Sequence, residues 1–117
     1  MNHLLTIKEL TADQLVRLLD SAELMKRQRG RDERPLEGQT WAMIFTKSST
    51  RTRVSFEVGI RELGGKAIFL SKNDIQLGRG ELIKDTARVL GRMVHGAIIR
   101  TFAQQDVVDF AHYSNIP

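Results

Sequence analysis

The spacing of apolar and polar positions divides the chain at about residue 40. Before it, Leu15, Leu18, Leu19, Ala22 and Met25 recur on one face of a helix. Thr11 and Gln14 give that helix a capping-box start, and Gly30 marks its expected end. Arg31 to Gln39 reads as a polar loop containing Pro35 and Gly38. After it, short apolar runs alternate with helical periodicity. Thr40 to Phe45 is a buried strand, and a helix starting around Thr50 carries Phe56, Gly59, Ile60 and Leu63 on one face, closing at Gly64-Gly65. Lys66 to Leu70 is a second strand, and Ser71 to Gly80 is a loop without apolar period. Gly80 to about Val94 is a helix with Ile83, Ala87, Leu90 and Val94 inward. Ala97 to Thr101 is a third strand, and Gln104 to Tyr113 is a last helix with Val107, Val108 and Ala111 inward.

Strands that alternate with helices imply right-handed crossovers and a parallel sheet. The expected fold is therefore α/β, a three-layer sandwich whose sheet is flanked by helices. Asn115-Ile116-Pro117 follow the last helix where the alternation calls for a fourth strand, so residues 1–117 read as the front part of a longer α/β unit, incomplete at the C-terminus. No internal repeat or low-complexity tract interrupts them.

Composition narrows the class. At 117 residues and 41% apolar, the chain suits one ordered domain. No apolar run approaches the ~20 residues that cross a bilayer, and the first residues lack a signal-peptide pattern. Without cysteine there is no disulfide framework, so a soluble cytoplasmic protein is the default expectation. The net charge of +4 raises the question of nucleic acid. Much of the excess lies in Lys26-Arg27-Gln28-Arg29-Gly30-Arg31, which suits a solvated helix end, and no aromatic interleaves with it.

The candidate chemistry follows the first strand. Ser48-Ser49-Thr50-Arg51-Thr52-Arg53 joins a strand to a helix, aiming backbone N–H groups and the helix dipole at whatever lies above the turn. The hydroxyls add donors, and an arginine adds a planar fork matching phosphate oxygens. Residues two apart on a helix point in nearly opposite directions, so Arg51 is assigned to the anion and Arg53 to Glu57 at i+4. A lone Ser-Thr pair commonly does no more than cap a helix. Here it is joined by Arg100, which ends an otherwise apolar strand and needs a partner. In an open α/β sheet, the turn after strand one, the loop Asn73 to Glu81 and Arg100 all fall at the carboxyl rim, where ligands bind. Gly78 and Gly80 alone signal only a turn. His3, His95 and His112 lack metal-ligand spacing, and Glu81 and Asp85 have no His or Cys beside them, so no metal or cofactor is expected.

Ser49-Thr50-Arg51-Thr52-Arg53-x-Ser55-Phe56-Glu57 resembles the carbamoyl-phosphate signature of the transcarbamylases. Phe45-x-Lys47-x-Ser49, Gln76 to Glu81 and Asp85 to Leu90 resemble its ornithine carbamoyltransferase branch, and the likeness runs from Leu4 onward. The resemblance implies an N-terminal carbamoyl-phosphate-binding domain over residues 1–117, with the ornithine-binding domain absent. It implies that Ser49, Thr50, Arg51 and Thr52 hold the phosphate and carbamoyl oxygen, that Arg100 holds the ligand from the other side, and that Gln76 reaches a neighbouring subunit's site in a trimer. Catalytic roles fall to Arg51, Thr52 and Arg100 in carbamoyl transfer from carbamoyl phosphate to ornithine, giving citrulline for arginine metabolism. Leu82 departs from the family, which usually has Ser there. The family's His-Pro-x-Gln segment and its amino-acid-binding groups have no counterpart in this sequence, so the chain alone is expected to be inactive. Alternative readings are a transcarbamylase for aspartate, putrescine or acetylornithine, or a non-catalytic anion-binding module.

Overall fold

A computed structural model describes residues 3–31, 33–75 and 83–117. A single 3₁₀ turn, Ile7–Glu9, precedes α1 (Ala12–Arg27); then come β1 (Thr40–Phe45), α2 (Thr50–Glu62), β2 (Lys66–Ser71), α3 (Lys72–Ile75), α4 (Ile83–Leu90), β3 (Gly96–Arg100) and α5 (Gln104–Ser114). The three strands are parallel in the order β2-β1-β3, with Phe45 level with Ser71 on one side and Arg100 on the other.

The central strand is bonded at both edges and covered on both faces, so its sequence is continuously apolar rather than alternating. Its side chains still alternate in direction. Ala42 and Ile44 join Ile75, Ala87, Val94 and Phe110 on the face covered by α3, α4 and α5. Met43 and Phe45 join Ile60 of α2 on the other. Met43 and Ile44 are almost wholly buried, each contributing about 1.5–3 kcal/mol of apolar transfer. The expected layered α/β sheet is the observed one.

The chain's stops are local chemistry. Thr11 Oγ1 accepts from the Gln14 amide at 3.1 Å while Gln14 Oε1 accepts from the Thr11 amide at 2.9 Å, which is the reciprocal cap the spacing predicts. Helix α2 ends with Gly64 at φ 96°. The Gly65 amide bonds back to the Ile60 carbonyl and the Gly64 amide to that of Arg61, closing the helix as a Schellman turn.

Three expectations are corrected, and the apolar row of α1 has no cover among the described residues: none of its residues is buried, and Leu18 and Leu19 are 51% and 63% exposed. The two sheet faces are already occupied by α2 and by α3 to α5, and periodicity reveals amphipathicity but not its partner. Within the expected loop after β2, Lys72–Ile75 is helical and buries Ile75; one apolar residue shows no period. The fourth helix stops at Leu90, short of Val94, because a turn begins at Gly91 where α5 passes. On α5 the buried anchor is Phe110, whereas Val108 is 39% exposed. The expected helix start at Gly80 lies outside the described residues.

Gly96 starts β3 directly beneath the Trp41 ring, which a Cβ would strike. Gly96→Ala is expected to cost about 1–3 kcal/mol by overpacking, measured as a lowered urea midpoint followed through Trp41 fluorescence. An unchanged midpoint would show that the ring moves aside freely.

Candidate functional site

The strand order places β2 and β3 on opposite sides of β1, with α2 over one face and α5 over the other. The chain therefore diverges between the carboxyl ends of β1 and β3, the place where open α/β sheets bind ligands. Of the predicted residues, Ser49, Thr52 and Arg100 meet there. The turn leaving β1 is held down by the end of β3: the Arg100 carbonyl accepts from the Thr46 amide at 2.9 Å and from the Lys47 amide at 3.4 Å.

Ser49 is the N-cap of α2, accepting from the Thr52 amide at 3.3 Å, so the common capping role of such a serine holds here. Its hydroxyl also donates to Thr52 Oγ1 at 2.9 Å. Arg100 Nη1 approaches the same Oγ1 at 3.4 Å, a long hydrogen bond across the divide. With both contacts arriving as donors, the Thr52 hydroxyl keeps its own proton to offer. Thr50 and Arg51, the first two residues of α2, are exposed at the rim. Arg51 has no ion pair among the described residues.

Arg53 behaves as helix geometry requires. Its guanidinium lies 3.6 Å from the centroid of Phe69 and its Nε is 3.7 Å from Glu57 Oε2. It faces away from the head of the helix. Arg100 is different. Its side chain is half-buried, and its Nε is buried without a hydrogen-bond partner among the described residues. A buried guanidinium N–H in that state calls for an acceptor. Thr52 and Arg100 also line a cavity of about 550 Å³ whose walls are largely apolar, among them Trp41, Phe56, Ile98 and Phe110. Thr52 and Arg100 thus meet at the head of α2, with Ser49 bonded to Thr52 and with Thr50 and Arg51 exposed beside them in the first turn, an arrangement of donors that suits an oxyanion. Gln76 and Leu82 lie outside the described residues, as do Gly78 and Gly80. Among the described residues no cluster of His, Asp or Glu has metal-binding form.

Sequence reasoning missed a second set of groups at this rim. Thr46 Oγ1 bonds Thr101 Oγ1 at 2.9 Å, and Thr101 Oγ1 bonds Asp106 Oδ2 at 2.9 Å. The signal was two threonines that each follow directly on a strand end, and an Asp in the first turn of the next helix. Beyond β2, Asp74 Oδ2 accepts from the Ser71 amide at 2.7 Å and the Ser71 hydroxyl at 2.8 Å. The amide bond and then the hydroxyl bond hold its carboxyl below the usual carboxylate range, against a small opposing effect of burial. The basic run at residues 26–31 is not a free patch: Arg27 pairs with Glu23 and Arg29 with Glu62, at 2.9 and 2.7 Å.

The family model for the aspartate/ornithine carbamoyltransferase carbamoyl-P binding domain matches residues 2–117. A protein from Akkermansia muciniphila named ornithine carbamoyltransferase is 66% identical over the whole chain, which covers 39% of that protein. The crystal structure of anabolic ornithine carbamoyltransferase from Campylobacter jejuni superposes with TM-score 0.91 at 45% identity, covering all of this chain and 38% of that one. The catalytic subunit of M. jannaschii aspartate transcarbamoylase superposes at 0.87 with 30% identity, covering all of this chain and 39% of that one. The chain thus spans about two-fifths of the length of these relatives.

Because the folded-state carboxyl of Asp74 is depressed, its bonds to Ser71 add stability above the unfolded carboxylate range, and that stability disappears as pH falls through the folded value. Asp74→Asn is therefore expected to lower the melting temperature at pH 7, with the gap to the unsubstituted chain closing below pH ~4. A gap independent of pH would remove the charge from the explanation.

Proposed function

This chain belongs to the aspartate/ornithine carbamoyltransferase family of carbamoyl-phosphate-binding domains, and we propose that it forms the carbamoyl-phosphate half of an ornithine carbamoyltransferase. The observation that carries the ligand assignment is the buried Nε of Arg100, without a partner among the described residues, on a guanidinium that reaches Thr52 at the head of α2. The choice of ornithine is supported by relatives bearing that name at 66% and 53% identity, against 30% for the aspartate enzyme.

In the reaction so assigned, the neutral side-chain amine of ornithine attacks the carbonyl carbon of carbamoyl phosphate. Negative charge builds on the carbonyl oxygen, where Thr52 and Arg100 supply donors in a fixed orientation. The C–O bond to phosphate then breaks, and the phosphate leaves onto Ser49, Thr50, the first amides of α2 and Arg51. The nitrogen sheds its proton and citrulline results. The mixed anhydride is already activated, so these steps ask for orientation and charge stabilisation rather than a metal or cofactor. This reading assigns the groups that would orient the amine to the part of the relatives' length that this chain does not span. The full reading is a cytoplasmic trimer in which Gln76 completes a neighbouring subunit's site.

Two measurements test this. Calorimetry with the phosphonate analogue of carbamoyl phosphate is expected to show binding to the 117-residue chain, tighter than inorganic phosphate. Arg51→Ala should weaken it at least tenfold, the loss of one charge-assisted donor at ~1.5–3 kcal/mol, while Arg53→Ala changes it less than threefold. Equal losses for the two arginines would defeat the helix-face assignment, and equal affinity for plain phosphate would favour a general anion-binding module. Separately, the chain incubated with carbamoyl phosphate and ornithine is expected to form no citrulline; turnover would show that the second substrate finds its groups here.

A further inference from the structure

The two halves of the site hang on different strands. Ser49 to Thr52 follow β1 through the turn at 46–48, and Arg100 ends β3. The side-chain contact that spans them, Arg100 Nη1 to Thr52 Oγ1, is long at 3.4 Å. The two strand ends are tied by the bond from the Thr46 amide to the Arg100 carbonyl, and what braces that tie sets the separation of the two halves.

The chain Thr46–Thr101–Asp106 does so. A carboxylate only accepts, so Thr101 must donate its proton to Asp106 Oδ2. Its oxygen is then left to accept, and Thr46 donates to it. The acceptor on α5 thus orients both hydroxyls, and the Thr46 hydroxyl has a second, longer acceptor in the Arg100 carbonyl at 3.4 Å. Thr46 in turn delivers its amide to the Arg100 carbonyl at 2.9 Å. The relay therefore links the first turn of α5, the residue after β3 and the residue after β1 around the backbone of Arg100. Asp106 and the two threonines are all half-buried, which keeps water from substituting freely.

We propose that Asp106 is a positioning residue that acts through Thr101 and Thr46 to set the spacing between Arg100 and the head of α2, and so the affinity for the carbamoyl-phosphate phosphoryl group. The proposal rests on the reading of the site given above. Asp106 touches no ligand itself. A plain helix-stabilising role, a negative charge in the first turn of α5, makes different predictions, because it needs the charge and not the two hydroxyls.

The test uses the 117-residue chain and the phosphonate analogue, with thermal melts run in parallel. Thr101→Val removes the relay's middle without changing side-chain shape, and Asp106→Leu removes its acceptor. Each is expected to weaken binding about tenfold, and the double variant no more than either alone, because the groups act as one unit. Asp106→Asn keeps an acceptor oxygen without the charge and is expected to restore affinity to within threefold of the unsubstituted chain, even where its melting temperature stays low. Unchanged binding by Thr101→Val overturns the relay. Asp106→Asn binding as weakly as Asp106→Leu assigns the effect to helix charge and overturns it too. If the unsubstituted chain binds no analogue, the site reading fails and the relay falls with it; binding that none of the variants alters removes the relay alone.

Discussion

Everything at the rim depends on the burial of β1. A strand hydrogen-bonded on both edges and covered on both faces has no freedom to slide, because a one-residue slip would exchange Met43 and Phe45 for Ala42 and Ile44 across the sheet. Its carboxyl end is then a fixed point, and the chain can leave it only upward into the turn before α2. The register with β3 brings Arg100 level with Phe45. A side chain that must be charged is thereby delivered to the end of an apolar layer, next to the start of a helix. The location of the site is a result of packing before it is a result of chemistry.

Much of this was legible in the residues. The bounds of β1 and the start and closure of α2 follow from an apolar run, a hydroxyl cap and a Gly-Gly stop, all of which act within a few residues. The split between Arg51 and Arg53 followed from helix geometry and holds in the pairing of Arg53 with Glu57 and Phe69. The convergence of Arg100 with Thr52 followed from topology alone. What could not be read was of a different kind. The exposed row of α1, the short helix Lys72–Ile75, and Phe110 in place of Val108 all depend on which surface faces which across the fold. The hydrogen-bonded trio of Thr46, Thr101 and Asp106 includes a bond between residues 55 apart, with no motif to announce it.

Membership of the family sets this chain beside relatives about two and a half times as long; it does not say how this chain holds its donors. The fold supplies that, through a serine that both caps a helix and donates to Thr52, and through an arginine whose main-chain carbonyl anchors the opposing turn while its side chain faces the divide. Because single residues make several contacts each, so small a sheet can bring several donors to one rim.

The separation of Arg51 from Arg53 has a further consequence. With Arg53 compensated by Glu57 and laid over an aromatic ring, Arg51 is left as the cation of the first turn of α2 that has no ion pair among the described residues. Charge on this helix is thus uneven around its axis, and an uneven distribution of charge gives an approaching ion a preferred direction, an effect that salt screens.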